Sequence, residues 1–156
     1  MLDNPLNNLN YEPLDLSSKV EYALLALLAL ANHPEQQHPL TIGGITARHG
    51  IPERYLEQIL TILRRGGIVH SQRGARGGYT LTCEPQQISL LEVIALMDGT
   101  RKPREHLLLT TPEREVLHRT WQQANVISQA FLQNCTLQDL CQQLEALQQK
   151  APMYYI

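Results

Sequence analysis

Apolar positions change their spacing from segment to segment along the chain, and the spacing predicts mostly helix. Residues 22–31 are apolar nearly all round, which is typical of a buried helix. Ser18 and Glu21 have the form of a capping box, and this predicts that the helix begins there. Two further helices are predicted at about 42–49 and 53–65, because glycine separates them and the second places its leucines and isoleucines on one side.

Two short strand-like runs follow these helices and predict a β-hairpin. The runs cover 68–72 and 79–82, and the glycine-rich sequence RGARGG at 73–78 joins them. Ser89 begins a second capping box, which predicts a helix ending near Asp98.

The C-terminal third predicts one long helix and one shorter helix. Thr111 is placed as the cap and Pro112 as the first residue of a helix that continues to Asn134, and a last helix starts at 136–139 and ends near Gln149. Two apolar rows run along the long helix. They are Leu117, Trp121, Ala124, Ser128 and Phe131 in one row, and Val116, Ile127 and Ala130 in the other. One row can pack on its own domain, and the other then needs a second copy or, as the alternative, the last helix.

Helix, glycine turn, helix and hairpin occur in the order of a winged helix-turn-helix. The predicted fold is therefore mainly α with a small two-stranded β-wing, followed by a long dimerisation helix. We expect a winged helix-turn-helix DNA-binding domain with an irregular N-terminal arm over 1–98. Residues 99–156 are expected to form the connector and the dimerisation helices.

Composition favours a helical protein of the cytoplasm. The 156 residues include 27 leucines but only 5% aromatic residues. No apolar run is long enough to cross a bilayer, and the N-terminal MLDNPLNN has no signal-peptide pattern, so we expect neither a membrane partner nor secretion. Three widely spaced cysteines do not form the framework of a secreted disulfide protein.

The net charge of −2 hides a segregation of charge along the chain. Residues 41–80 hold six arginines and two glutamates, so the predicted helix-turn-helix and wing are basic while the remainder is acidic. A basic segment can dock on a phosphate backbone, or it can be a solvated face that binds nothing.

The second helix of the pair carries side chains suited to a DNA groove. Arg54, Gln58, Thr61 and Arg65 lie opposite its apolar row, and Glu57 lies at the margin. Arginine donates two hydrogen bonds to guanine, glutamine pairs with adenine, and glutamate accepts from cytosine. An ordinary polar helix face is the alternative explanation.

The hairpin tip strengthens the nucleic-acid interpretation. Arg73 and Arg76 flank glycines, and three glycines in five residues are more than an inert turn needs. Glycines let a backbone approach phosphates, and arginine favours the negative potential of a narrow minor groove. A phosphate-loop nucleotide site is excluded, since no Gly-Lys-Ser/Thr sequence follows.

These motifs resemble a known family in content and order. IPERYLEQIL at 51–60, RG at 73–74, GGY at 77–79 and ISL at 88–90 are similar to the bacterial regulators IscR, NsrR, RirA and CymR, with the strongest similarity over 14–99. The resemblance implies a homodimeric winged-helix transcription factor on a near-palindromic operator. It also implies major-groove contacts by the second helix and minor-groove contacts by the wing. The base-contacting residues would be Arg54, Tyr55, Glu57 and Gln58, with Arg73 in the wing.

The cysteines depart from the pattern of the cluster-binding members. Those members hold an iron–sulfur cluster through three cysteines after the post-wing helix, and 99–109 has none here. We therefore expect no cofactor and no metal. Cys83, Cys135 and Cys141 are interpreted as structural thiols, with Cys83 buried or half-buried. A redox-sensing thiol and a cluster shared between subunits remain alternatives.

Other metal sites and other functions are weaker hypotheses. His33, His38 and Glu35 lie in one loop and are a minor metal candidate, and His106 is a cluster ligand only if cysteines join it. A protein-interaction module on a winged-helix scaffold is the second function class. An enzyme is not expected, because the chain has no Ser/His/Asp ordering, no plausible carboxylate pair and no nucleotide loop. An unknown effector or protein partner is the expected signal.

Overall fold

The computed structural model describes residues 12–33, 38–99 and 111–150. These residues form a mostly helical structure with one two-stranded antiparallel sheet, which confirms the predicted fold class. The elements are α1 (Ser18–Ala31), α2 (Ile42–His49), α3 (Glu53–Arg65), β1 (Val69–Gln72), β2 (Gly78–Leu81), a 3₁₀ turn (Pro85–Gln87), α4 (Leu90–Asp98), α5 (Pro112–Asn134) and α6 (Leu137–Lys150). Residues 34–37 and 100–110, which include Glu35 and His106, lie outside the described residues.

Helix α1 lies at the centre of the core. Ala23, Ala26 and Leu27 are fully buried, and α2, α3, α4, α6 and β2 all contact this helix. The cap predicted at Ser18 was wrong by one residue. Ser17 has an extended backbone, and its hydroxyl accepts the N–H of Val20, so Ser18 is already helical.

A glycine turn sets α2 and α3 at an angle to each other. Gly50 has a φ of 61°, and its N–H donates to the carbonyl oxygen of Thr46, which closes α2. Pro52 is the residue before α3, and its carbonyl oxygen accepts the first two backbone hydrogen bonds of the helix. The side of α3 that faces the core is fixed by four buried residues, Leu56, Ile59, Leu60 and Leu63.

The two strands pair antiparallel with Val69 opposite Leu81 and Gln72 opposite Gly78. The second strand begins and ends one residue earlier than predicted. Leu40 forms an isolated antiparallel bridge with Tyr79, in which the two residues exchange backbone hydrogen bonds of 3.0 and 2.9 Å. At the base of the hairpin, the hydroxyl of Thr82 donates to carbonyl oxygens of the turn that follows α3.

The C-terminal helices join the core through the junction between α5 and α6. Leu137 is fully buried, its N–H donates to the carbonyl of Ile88, and the N–H of Leu90 donates to the carbonyl of Cys135. Ser89 caps α4 as predicted, by accepting the N–H of Glu92. Helix α6 also packs against α1 and the 3₁₀ turn.

Helix α5 has an exposed apolar surface along its whole length. None of its 23 residues is buried, and six of its large apolar side chains are between 58% (Val126) and 71% (Ile127) exposed, while Leu132 is half-buried. The expectation that one apolar row packs on its own domain was therefore wrong. Helix α6, whose buried residue is Leu137, packs on α1. Helix α5 makes its most extensive contact with α4. Among the described helices, none combines the length and the apolar character that crossing a membrane requires.

Candidate nucleic-acid interface

Helix α3 turns a polar surface to solvent. Arg54, Gln58 and Arg65 are exposed and lie opposite the four residues that α3 buries in the core, and exposed Glu57 lies at the margin of this surface. Tyr55, one residue before buried Leu56, is 59% exposed. The side chains expected to contact bases are thus gathered on one accessible side of one helix, on a rigid support.

Thr61 differs from its neighbours on this surface. It is half-buried, and its hydroxyl donates to the backbone carbonyl of Glu57 at 2.8 Å. Because the single hydroxyl proton is used within the helix, Thr61 can offer DNA only an acceptor or its methyl group.

The first turn of α3 is open to an external acceptor. Pro52 at the cap position provides no side-chain hydrogen bond, and the backbone bonds of the turn begin with the N–H of Tyr55. The N–H groups of Glu53 and Arg54 therefore point along the helix axis towards solvent. They lie at the N-terminus of α3, which is the positive end of the helix dipole. A phosphate group is a suitable acceptor for such N–H groups.

Arg73 and Arg76 lie exposed at the tip of the wing. The glycines beside them have a structural cause that the sequence did not reveal. A Cβ on Gly77 would lie 2.3 Å from the carbonyl oxygen of Gln72, and Gly74 has a φ of 109°. Turn geometry thus requires these glycines whether or not DNA is bound, so only the two arginines indicate DNA contact at the tip.

Gly78 allows the wing to be held against the body of the domain. A Cβ there would lie 2.6 Å from the carbonyl oxygen of Leu40, which pairs with the next residue, Tyr79. Sequence reasoning missed this role of Leu40. The prediction assigned Gly78 to the turn, whereas it is the first residue of β2, and a glycine in a strand often marks close approach of another backbone.

Helix α4 packs closely on the C-terminal end of α3. A Cβ on Gly66 would lie 2.5 Å from Cδ1 of Leu96. This contact positions the end of the helix that carries Arg65, so α3 is held at both ends: by the Gly50 turn and by α4.

The three cysteines lie in different surroundings. Cys83 is exposed, so the expectation of a buried or half-buried thiol was wrong, because β2 ends before it and the chain turns outward. Cys135 and Cys141 are half-buried. Burial raises the pKa of both thiols above the ordinary value, and nearby Asp139 adds to the effect at Cys135 and Glu145 at Cys141.

His33 and His38 line one cavity of about 240 Å³ beside the wing, together with Cys83 and Glu84. Across residues 12–33, 38–99 and 111–150, no three His, Cys, Asp or Glu side chains are grouped closely enough to hold a metal ion. The described thiols therefore do not fit an iron–sulfur cluster, because a cluster needs several thiolate ligands gathered at one place and Cys83, Cys135 and Cys141 form no such group.

This architecture and its exposed helix define a class, the DNA-binding transcriptional regulators with a winged helix. The sequence profile of the Rrf2 family, described as "Iron-dependent Transcriptional regulator", matches residues 16–143. The chain therefore belongs to the Rrf2 family, and the resemblance to IscR and CymR is confirmed.

Individual relatives and solved structures agree with this assignment. The regulator CymR of Bacillus subtilis is 33% identical over 90% of this chain and 99% of its own length. Its structure, described as that of the global cysteine regulator of that organism, covers 83% of this chain and 97% of the CymR chain with a TM-score of 0.65. The structure of IscR from T. potens covers 87% of this chain and 92% of that chain, at 32% identity and a TM-score of 0.72.

Some relatives match over a shorter region. An rrf2-like HTH-type transcriptional regulator of Rhodobacter capsulatus is 43% identical over 56% of this chain. The match spans 60% of that relative's length. A second regulator, from Synechocystis, is 43% identical over 56% of this chain and 59% of its own length.

Proposed function

We propose that the protein is a transcriptional regulator that binds double-stranded DNA as a homodimer at a near-palindromic operator. Helix α3 of each subunit enters the major groove, and each wing lies in an adjacent minor groove. The protein acts in the cytoplasm as a regulator and not as an enzyme.

The observation that carries this proposal is the chemistry of the exposed side of α3. Arg54 and Arg65 supply guanidinium donors, Gln58 an amide and Glu57 an acceptor, and all four are exposed on a helix with a buried opposite face. This is the combination that base edges in the major groove bind. A protein-interaction module would present a mainly apolar or acidic surface at the same place.

The wing extends the contact along the duplex. Arg73 and Arg76 project from the tip of a hairpin that Thr82 holds at its base and Leu40 holds at Tyr79, near the turn. Arginines at a rigid tip suit the negative potential of a narrow minor groove. Two further residues complete the proposed interface on α3. Tyr55 supplies an aromatic contact, and Thr61 supplies a methyl group or a hydrogen-bond acceptor.

The proposed dimer follows from the exposed apolar surface of α5. Six large apolar side chains of this helix are exposed: Val116, Leu117, Trp121, Val126, Ile127 and Phe131. A second copy of the same helix removes them from water. Two-fold symmetry of the protein then requires a near-palindromic operator.

The cysteines and other metal-ligating side chains of the described residues are not grouped as a cluster requires. This supports a regulator that needs no bound cluster. The signal is then an effector molecule, a protein partner or oxidation of a thiol. A cluster-dependent or thiol-based sensor of the same family is the alternative, and spectroscopy of the purified protein separates it from the proposal.

The proposal is tested by gel-shift with genomic DNA fragments at two salt concentrations. We expect fragment-selective retention that weakens as salt increases, because arginine contacts release counterions from the phosphate backbone. Arg54→Ala should abolish selective retention, while Arg119→Ala, which changes an exposed arginine of α5 paired with Glu115, should leave it intact. Equal weak retention of every fragment by the unaltered protein would contradict the proposal.

A further inference from the structure

A polar cleft lies where the end of α2, the 3₁₀ turn and α6 approach one another. It has a volume of about 460 Å³, which is within the range of small-molecule sites. The polar side chains that line it include Arg48 of α2, Glu84 beside the 3₁₀ turn, and Gln138, Cys141, Glu145 and Gln148 of α6. None of the described lining residues belongs to α3 or to the wing tip, so the cleft is separate from the proposed DNA contacts.

The spacing of polar residues along α6 produces one side of this cleft. Gln138, Cys141, Glu145 and Gln148 recur at spacings of three, four and three. At 100° per residue they lie within about 80° of one another around the helix. Cys141 is half-buried and packs against the core, whereas Glu145 is exposed. Burial raises the pKa of the Cys141 thiol and the carboxylate of Glu145 adds to the effect, so these two side chains are neighbours in the cleft.

The charged groups of the cleft are available to a ligand. In the part of the chain that the structure describes, no ion pair involves Arg48, Glu84 or Glu145. The guanidinium group of Arg48 binds anions, and the two carboxylates bind cations. A small molecule that carries one anionic and one cationic group can therefore pair with both kinds of charge at once.

We propose that this cleft binds a small zwitterion of the α-amino-acid class, with its carboxylate on Arg48 and its ammonium group between Glu84 and Glu145. The inference rests on the proposed function, for which it supplies the effector. With one cation against two anions, the lining favours a neutral or basic amino acid over an acidic one. The amide groups of Asn32 and Gln138 can donate hydrogen bonds to the ligand and accept them from it.

The cleft joins the helix-turn-helix to the C-terminal helices. Helix α2 packs on α1 and α3, whereas α6 packs on α1 and the 3₁₀ turn. Arg48 lies in the last turn of α2, two residues before the Gly50 turn, and Glu84 follows β2 by three residues. A ligand held by these two residues and by Glu145 fixes α2 and the base of the wing relative to α6. This should strengthen operator binding, because less freedom remains to be lost when DNA binds.

Calorimetric titration of the full-length protein with each of the standard L-amino acids tests the site. At least one should bind. Its N-acetyl derivative lacks the ammonium charge and its carboxamide lacks the carboxylate, so each should bind about 10-fold more weakly or worse. Binding of none of the amino acids, or equal binding of either derivative, would overturn the inference.

Two variants assign the charges of the ligand to residues of the cleft. Arg48→Gln and Glu145→Gln should each weaken binding of the amino acid about 10- to 100-fold, because a charge-assisted hydrogen bond is lost. Arg48→Gln should also bind the amino acid and its carboxamide about equally, which a general loss of structure would not produce. Arg64→Gln, which changes an exposed arginine in the last turn of α3 outside the cleft, is the matched control and should bind normally. Normal binding by Arg48→Gln would overturn the inference.

Gel-shift with a selectively retained DNA fragment separates this inference from the proposed function. The amino acid should strengthen retention by the unaltered protein about five-fold or more and should have no effect on Arg48→Gln. Unchanged retention in the presence of a bound amino acid would overturn the effector role. Selective retention without binding of any amino acid overturns the inference but leaves the proposed function intact. Binding of an amino acid by a protein that retains no fragment selectively overturns the proposed function and supports the site.

Discussion

Glu57 and Gln58 are neighbours on the exposed side of α3 and differ in the hydrogen bonds that they can make to DNA. Glu57 only accepts hydrogen bonds, whereas the Gln58 amide both donates and accepts. We expect Glu57→Ala or Gln58→Ala to change the base preference at one position in each half-site, at a cost of about 1–3 kcal/mol for the preferred base. Binding to a library of operator variants measures this preference.

Arg73→Ala is the informative comparison for these two substitutions. Removal of this wing arginine should weaken binding more for operators that have a narrow minor groove where the wing lies, and it should reduce the dependence on salt. If either Arg73→Ala or Gln58→Ala weakened binding to all operators equally, the residue replaced would be a phosphate contact and would not contribute to sequence recognition.

The three thiols should differ in their rate of alkylation. Cys83 is exposed, whereas burial raises the pKa of Cys141 and leaves less of the reactive thiolate at neutral pH. We expect iodoacetamide near pH 7 to modify Cys83 first and Cys141 more slowly, as followed by mass spectrometry of the intact protein and its peptides. Faster modification of Cys141 than of Cys83 would contradict the packing of α6.

At the scale of the elements, the wing depends on the close approach of Leu40 to β2. Gly78→Ala should lower the free energy of unfolding by about 1–3 kcal/mol, because the new Cβ collides with the carbonyl of Leu40 and the φ of 149° is unfavourable for alanine. Urea denaturation measures this change. Gly43→Ala is the matched control.

The control should behave in the opposite way. Gly43 lies within α2, and a Cβ there meets nothing closer than 3.9 Å. Alanine should therefore stabilise the helix by about 0.5–1 kcal/mol. Equal losses for the two variants would show that the Leu40 contact does not hold the wing.

The whole molecule should bind its operator without an iron–sulfur cluster. The three cysteines of the described residues do not form a group with three metal-ligating side chains, and soft thiolate ligands must be grouped to hold a cluster. We expect anaerobically purified protein to lack visible cluster absorbance and to keep operator binding after chelation. A stoichiometric brown chromophore that is lost together with DNA binding would show a cluster sensor with an unusual ligand set.

Local patterns in the sequence were sufficient to predict most helices and the hairpin. The starts of α4 and α5 at Ser89 and Thr111 were predicted because capping depends on residues within one turn. Similarly, the one-sided apolar row of α3 predicted which side chains would be exposed, since helical geometry alone orients them. The cap of α1 was misplaced because Ser17 and Ser18 both have a hydroxyl in a suitable position.

The sequence by itself determined the order of elements, the charge of 41–80 and the polar side of α3, because these depend on neighbouring residues and their spacing. Only the tertiary structure decided which contacts form between distant segments. It showed that glycines of the wing are required by the carbonyls of Gln72 and Leu40, that Cys83 faces solvent, and that α5 leaves both apolar rows uncovered. Such facts depend on which backbones and helices meet in space, and residue spacing along the chain does not contain that information.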